Sequence, residues 1–227
     1  MVNHHPAPEL LTAFSAGSLQ LSHALCVSTH VESCHECKTN MQRLNSLGAQ
    51  VFTQAKPANA PDYLKDSVMA LLDEKRADVD LDKSATLTAV SETDISTDVP
   101  KALRHLIPDG YESLNWQRVS PSVSVAELCK DTNGAQVSLL KIKPGGQVGK
   151  HRHTGDEYTQ LISGSFSDES GLYKEGDFLF RDSKSHGHRP IATNDAECLC
   201  LTVVDAPIEF TGFFTRVLNP LLRKKYA

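Results

Sequence analysis

Residues 145–164 read GGQVGKHRHTGDEYTQLISG and fill the pattern G-x5-H-x-H-x3-E-x6-G at every position. Residues two apart on a strand face the same side, so His151 and His153 are expected to point together into a β-structure. Glu157 follows on the neighbouring stretch and offers a carboxylate oxygen. Two imidazoles and one carboxylate at this spacing predict a buried site for a divalent metal ion.

A fourth ligand is expected from a later strand. The segment 185–190, SHGHRP, supplies two candidates, His186 and His188, and the residues alone do not decide between them. Zinc, iron, manganese and nickel all accept mixed histidine and carboxylate ligands, so the ligand types do not identify the metal. A metal-free pocket lined by histidines is the alternative.

The region that carries this motif has the pattern of a β-sandwich or small barrel. From Pro100 onward, short alternating apolar runs are separated by turn signals such as Asn133-Gly134 and Pro144-Gly145-Gly146. Residues 77–99 are rich in Asp, Ser and Thr and show no apolar stripe, which is typical of a polar linker.

In the N-terminal region, the apolar residues recur at a different spacing. Between Pro6 and Arg76 the apolar residues recur at helical spacing, which predicts four short helices broken near Gly17, Pro57 and Pro61. Such a unit has a small core, so we expect a metal ion or a partner to contribute to its stability. The predicted organisation is a helical unit over 1–76, a linker over 77–104, a barrel over 105–210 and a tail over 211–227.

The helical unit contains a second metal-ligating pattern, H-x3-C-x2-C, at His30, Cys34 and Cys37. Zinc takes four nitrogen or sulfur ligands in a tetrahedron. Cys34 and Cys37 can hold one ion where a helix begins, because that end of a helix favours thiolates. The set is one ligand short, and His4 and His5 are both candidates for the missing position.

The bulk composition excludes several classes of protein. A net charge of −5 over 227 residues argues against direct nucleic-acid binding through a broad basic surface. No apolar run reaches the roughly 18 residues that a membrane span needs, and the N-terminus lacks a signal-peptide pattern. We therefore expect no membrane insertion and a cytoplasmic location, where the six cysteines serve as metal ligands, redox groups or buried residues rather than structural disulfides.

Cys198 and Cys200 lie two apart on a predicted strand, so both thiols should face the same side. If that side is the interior, the pair lies near the metal and is a candidate for oxidation. The simpler interpretation is two small buried residues in a β core.

Two resemblances now become visible. His5, followed by His30-x3-Cys34-x2-Cys37 on a small helical domain, resembles the zinc-binding anti-sigma factors of bacteria. The pattern of residues 145–164 resembles the first motif of the cupins. Both motifs, in this order over essentially the whole chain, resemble the ChrR-like zinc anti-sigma factors.

The resemblance selects among the open ligands. It implies His5 rather than His4 at the helical site, and a His-x-Pro segment that favours His188 over His186 in the barrel. The second cupin motif departs from its usual form here, because its Pro-x-Gly is missing. ChrR-like proteins also carry a cysteine pair ten and twelve residues beyond that histidine, where this chain has Cys198-Leu199-Cys200.

The resemblance implies a multidomain α plus β protein, with a four-helix zinc-binding domain followed by a cupin barrel of the double-stranded β-helix or jelly-roll type. It implies inhibition of an extracytoplasmic-function-type sigma factor, which is released when the cupin senses singlet oxygen or an organic peroxide. We expect structural zinc in the helical domain, zinc or another divalent metal in the cupin, no enzymatic activity, and a homodimer when the sigma factor is absent. The alternative is a metal-dependent, dioxygenase-like cupin enzyme with an accessory helical domain.

Overall fold

The computed structural model describes residues 2–78, 98–212 and 219. Most of the predicted linker and of the predicted tail lies outside the described residues. Within residues 2–78 and 98–212, no helix is both long and apolar enough to cross a lipid bilayer.

The N-terminal part contains four helices, as predicted from its apolar period: α1 (Pro8–Ser15), α2 (Leu21–Ser33), α3 (His35–Gln54) and α4 (Asp62–Asp78). Gly17 follows α1 with a φ of 67°, a conformation that suits glycine and ends the helix. Cys34 separates α2 from α3 with extended backbone angles, so the two helices meet at the cysteine pair.

Eleven described strands follow two short 3-10 turns, Lys101–Leu103 and Tyr111–Ser113. The strands are β1 (Gln117–Ser120), β2 (Val123–Lys130), β3 (Gln136–Ile142), β4 (His151–Arg152), β5 (Glu157–Ser163), β6 (Ser165–Asp168), β7 (Gly171–Lys174), β8 (Phe178–Arg181), β9 (Ile191–Ala192), β10 (Cys198–Val204) and β11 (Glu209–Phe210). They form a six-stranded antiparallel sheet in the order β1-β2-β3-β10-β5-β8, a three-stranded sheet β7-β6-β9 and a pair β11-β4.

The six-stranded sheet is covered on both faces. Alternate residues of β10 illustrate this, since Leu199, Leu201 and Val203 belong to one apolar cluster and Cys198 and Cys200 to another. The first cluster also contains buried residues of the helices, and the second lies on the opposite face of the sheet, inside the barrel. A fully buried strand reads as a continuous apolar run because neither face meets water.

The helical unit and the barrel therefore share one core. Helix α2 supplies Cys26 and Val27, both fully buried, to the cluster that includes Leu139 and Leu201 of the sheet. Val99, which falls within the predicted linker, is also buried there with Leu103. The spacing of apolar residues in the sequence could not predict this shared core, because it reveals which face of an element is apolar but not which element covers that face.

Helix α4 keeps its apolar face in contact with solvent. Its side chains at Leu64, Val68 and Leu71 are 46%, 48% and 61% exposed, although their spacing is that of a core-facing stripe. The second half of α3 is similar, with Val51 and Phe52 exposed. These two helices present a large apolar surface that the described residues of this chain leave uncovered.

Candidate metal centres

The structure brings together the four residues predicted for the N-terminal site. His5, His30, Cys34 and Cys37 place one ligand atom each within 4.8 Å of all the others. Cys34 and Cys37 come from the junction of α2 and α3, His30 from the last turns of α2, and His5 from the segment before α1. His30 and both cysteines are buried.

The distances within this cluster suit a zinc ion. The Nδ1 atom of His5 lies 3.4 Å from Sγ of Cys34 and 3.5 Å from Sγ of Cys37, and Nε2 of His30 lies 3.3 Å from Sγ of Cys37. Nitrogen and sulfur atoms bound to one tetrahedral zinc lie about 3.5 Å apart, given the usual Zn–N and Zn–S bond lengths. The residues present therefore fit the metal.

Burial favours the uncharged forms of His30 and Cys37 when no cation is present. Burial, together with the neighbouring Cys34, raises the pKa of Cys37 to about 12, so its thiol is protonated at neutral pH when nothing positive is nearby. Burial lowers the pKa of His30, which keeps that imidazole neutral and able to bind a metal. A divalent ion would remove the cost of forming the buried thiolate.

The neighbouring histidine, His4, lies outside the cluster. Its Nδ1 atom is 3.3 Å from the Asp177 carboxylate, and its side chain is 43% exposed. The ligand position near the thiols is taken by His5, the residue that the resemblance favours.

The barrel site contains three converging histidines. His151, His153 and His188 are all buried, and their ligand atoms lie within 4.8 Å of one another. The Nε2 atom of His188 is 3.0 Å from Nε2 of His151 and 3.1 Å from Nε2 of His153. His186, the other candidate, is exposed.

Hydrogen bonds on the far side of two rings determine which nitrogens face inward. The Nδ1 atom of His151 lies 2.9 Å from the carbonyl oxygen of Gly149, and Nδ1 of His188 lies 2.9 Å from the carboxylate of Asp168. Both acceptors require a hydrogen on Nδ1, so the two Nε2 atoms present lone pairs to each other. A metal ion between them would turn this repulsion into coordination, so the donor set fits a cation.

Glu157 lies at the edge of this cluster. Its Oε2 atom is 2.9 Å from Nδ1 of His153, a buried nitrogen that has no hydrogen-bond partner of suitable geometry. Burial alone would raise the pKa of Glu157, but His153 and the other histidines lower it to about 2, so the carboxylate is ionised. The role of Glu157 as a fourth ligand stays a prediction.

A cavity of about 410 Å³ is lined by two of the three histidines, His151 and His188, and by Glu157. Most of its lining surface is apolar and comes from residues such as Leu140 and Phe166. A cavity of this size and character is typical of a small-molecule site.

The cysteine pair faces the same interior. Cys198 and Cys200 are fully buried with their Sγ atoms 3.6 Å apart, and Cys200 lines the cavity. The hydrogen bond to Cys198 and burial raise the pKa of Cys200, so the reactive thiolate is disfavoured.

Sequence reasoning missed the residues that orient the ligands. Asp168 holds His188, Gln160 holds His30 through a 3.0 Å contact between Oε1 and Nδ1, and Asp177 holds the segment before His5. None of them belongs to the motifs, and each contact joins residues far apart in sequence. Gly176-Asp177 could be recognised only as a turn before a strand.

The comparisons with known proteins agree with this arrangement. Residues 110–206 match the family model described as the ChrR cupin-like domain. The chain is 30% identical over 223 residues to the anti-sigma-E factor ChrR of Cereibacter sphaeroides, covering 98% of this chain and 99% of that protein. The crystal structure of Rhodobacter sphaeroides SigE in complex with the anti-sigma factor ChrR matches with a TM-score of 0.75 at 27% identity, covering 90% of this chain and 100% of that chain.

The predicted fold, four N-terminal helices followed by a cupin-like β-domain, is thereby confirmed. The similarity spans the helical unit and the barrel, which agrees with the two motifs read from the sequence. This chain belongs to the family of the anti-sigma factor ChrR.

Proposed function

We propose that this protein is an anti-sigma factor that binds and inhibits a sigma factor of the extracytoplasmic-function type. The observation that carries the proposal is the similarity over 98% of the chain to an anti-sigma-E factor. The related crystal structure, in which ChrR is bound to SigE, supports the same kind of partner for this chain. We propose a cytoplasmic location, where a sigma factor acts.

The binding surface would be the exposed apolar faces of α3 and α4. Leu64, Val68 and Leu71 on α4 and Val51 and Phe52 on α3 are all about half exposed or more. Exposed apolar surface of this extent is characteristic of protein–protein contacts. When the sigma factor is absent, a second copy of this chain could cover the same surface and give a homodimer.

The two metal centres would have different roles. Zinc held by His5, His30, Cys34 and Cys37 would be structural, because four protein ligands close its coordination. A divalent metal, with zinc our first choice, would be held by His151, His153 and His188, with Glu157 as the fourth ligand.

The barrel would act as the sensor. The cavity beside its histidines gives a small oxidant such as an organic peroxide access to the metal centre and to Cys200. Singlet oxygen or an organic peroxide would act there, and the resulting change would reach the helices through the core that they share with the sheet.

Co-expression with extracytoplasmic-function-type sigma factors of the same organism tests the anti-sigma proposal. The chain should copurify with a tagged sigma factor, and the double variant Cys34→Ser/Cys37→Ser should bind it much more weakly. Wild-type protein that fails to copurify, or a double variant that binds as well as wild type, would contradict the proposal.

A second experiment tests the sensor role. The double variant His151→Ala/His153→Ala should still bind the sigma factor but should release little of it after treatment with an organic peroxide. Equal release from the variant and the wild type would remove the barrel metal from the mechanism.

The cavity supports one competing function, a metal-dependent cupin enzyme. Such an enzyme would deplete a small-molecule substrate catalytically, and its helical unit would not inhibit transcription. Sigma-dependent transcription in vitro therefore separates the two functions, because only an anti-sigma factor represses it at stoichiometric concentration.

A further inference from the structure

The barrel contacts the two histidines of the N-terminal metal site, His30 directly and His5 through the segment before it, although His30 itself belongs to helix α2. His30 is fully buried, and its Nδ1 atom donates to Oε1 of Gln160, on strand β5, at 3.0 Å. The amide of Gln160 is itself fixed, because its Nε2 atom donates to the carbonyl oxygen of Leu161 at 3.0 Å. The Gln160 oxygen therefore faces His30, and the Nε2 lone pair of His30 faces Cys37.

The second histidine, His5, is held indirectly, through hydrogen bonds that the backbone of Asn3 and His4 makes with the barrel. Asp177, just before strand β8, accepts hydrogen bonds from the backbone amides of Asn3 at 2.8 Å and His4 at 3.1 Å. The backbone amide of Phe178 donates to the carbonyl oxygen of His4 at 3.0 Å. These three bonds attach the N-terminal segment to the barrel immediately before His5.

This attachment matters because His5 lies before the first helix. A segment outside the helices that makes few contacts is poorly ordered, and fixing the backbone of each residue costs about 1–2 kcal/mol. A ligand supplied by such a segment would meet that cost whenever it bound the metal. The bonds to Asp177 and Phe178 hold the segment in place beforehand, so the ligand is preorganised.

The two anchoring points are neighbours in the sheet. Gln160 on β5 pairs with Phe178 on β8, and Asp177 directly precedes Phe178. Glu157, at the edge of the barrel site, begins the same strand that carries Gln160. A displacement of β5 against β8 would therefore change the contacts that orient the His30 ring and that place the segment before His5.

We propose that Gln160 and Asp177 are positioning residues through which the cupin barrel sets the metal affinity of the N-terminal site. The barrel fixes the tautomer and orientation of His30 and the position of His5. This metal centre therefore depends on contacts between the helical unit and the barrel. The inference rests on metal binding by the N-terminal cluster, part of the proposed function, and does not depend on the identity of the sigma factor.

The test uses the full-length protein and Co²⁺ as the probe, since cobalt bound by thiolates gives an absorption band that a site without cysteine lacks. The double variant Cys34→Ser/Cys37→Ser should lose the band, which ties it to this site. Gln160→Leu removes the side-chain acceptor for His30 and leaves only the backbone of Gly176 as a partner, so it should weaken cobalt affinity about tenfold or more, as the loss of a partner behind a metal-bound histidine does. Gln160→Glu keeps an oxygen there and should restore most of the affinity.

A role in packing alone would give the opposite order for these two variants. Leucine would then be tolerated better than a buried glutamate, and affinity would follow stability.

Asn3→Pro tests the other anchor without changing the barrel, because proline lacks the amide hydrogen that Asp177 accepts. We expect weaker cobalt binding in Asn3→Pro and unchanged binding in the matched control Asn3→Ala. Wild-type affinity in both Gln160→Leu and Asn3→Pro would overturn this inference and leave the metal site intact. A wild-type protein without the thiolate band would overturn the metal site and this inference together.

Discussion

The carboxylate of Asp168 accepts a hydrogen bond from Nδ1 of His188 at 2.9 Å, and its side chain is completely buried. Burial alone would raise the pKa of Asp168, but the hydrogen bonds from His188 and the Ser170 backbone, together with the Arg181 charge, keep it below its ordinary value. The ionised carboxylate fixes the hydrogen on Nδ1 of His188, which leaves Nε2 to face the other two histidines.

Replacing Asp168 by asparagine should therefore weaken metal binding in the barrel. Oδ2 of Asp168 accepts from both His188 and Arg181, and Oδ1 accepts from the backbone amide of Ser170. An asparagine has one acceptor oxygen and no charge, so it cannot satisfy all three donors, and a weakened partner behind a metal-bound histidine lowers metal affinity by about 10–100-fold. Dialysis of Asp168→Asn against a zinc chelator should leave close to one zinc per chain where wild type retains two.

Asp195→Asn provides the matched control, because Asp195 is exposed. Equal zinc retention by Asp168→Asn and wild type would show that Asp168 has no part in orienting His188.

The Asp177 carboxylate should make stability depend on acid pH. Burial alone would raise its pKa, but hydrogen bonds from the backbone amides of Lys174, Asn3 and His4 hold it below the ordinary value of 3.8. A depressed pKa contributes stability that is present above the unfolded-state value and is lost as the pH falls through the folded-state value. The contribution should thus be complete at pH 6, should begin to fall near the ordinary value of 3.8 and should be lost as the pH falls through the lower folded-state value.

Urea unfolding of wild type and Asp177→Asn at several pH values measures this effect. The variant should be less stable by about 1–3 kcal/mol at pH 6, because buried amides lose a charged acceptor. The difference should shrink as the pH is lowered towards 3. A constant difference across this range would mean that the carboxylate charge does not stabilise the docked N-terminal segment.

The sequence could predict most of the side chains that come together at the two candidate centres because local spacing encodes them. His151 and His153 lie on one face of a strand, and Cys34 and Cys37 lie one helical turn apart, so short patterns suffice. His188 and His5 needed the family resemblance, since each had an equally plausible neighbour in sequence.

The orienting residues could not be predicted in this way. The contact between His30 and Gln160 spans 130 residues, and that between Asn3 and Asp177 spans 174. No periodicity connects such distant positions, and a buried glutamine on a strand has no local signature. The packing of the helices on the sheet could not be predicted either, because the apolar stripe of a helix does not identify the element that packs against it.

Helix α4 should contribute to sigma binding and little to folding. Leu64 and Val68 are 46% and 48% exposed, so the double variant Leu64→Ala/Val68→Ala should preserve the unfolding transition of the free protein. If the sigma factor covers this face, the same variant should raise the dissociation constant at least about tenfold. Titration of labelled sigma factor by fluorescence anisotropy measures the change.

The pair Lys65→Ala/Asp66→Ala on the same helix controls for a general loss of helix structure, because both side chains are exposed and polar. It should bind with nearly wild-type affinity. A double alanine variant at Leu64 and Val68 that binds as tightly as wild type would place the sigma contacts elsewhere.

Cys198 and Cys200 should resist alkylation in the folded protein. Both side chains are fully buried, and the raised pKa of Cys200 disfavours the thiolate that reacts. Iodoacetamide at pH 7 should therefore modify them at least about 100-fold more slowly in native protein than in urea, because unfolding exposes both thiols and removes the burial that disfavours the thiolate. Peptide mass spectrometry distinguishes alkylation of this pair from alkylation of Cys129, which is half-buried.

This measurement bears directly on whether the cysteine pair can act as a redox sensor. Cys200 lines the cavity, so a small peroxide that enters the barrel could reach its sulfur without unfolding. Slow alkylation combined with rapid oxidation of Cys200 by an organic peroxide would indicate access through the cavity. Slow reaction with both reagents would instead make the pair a packing feature of the core, and any oxidative signal would then have to act at the metal centre.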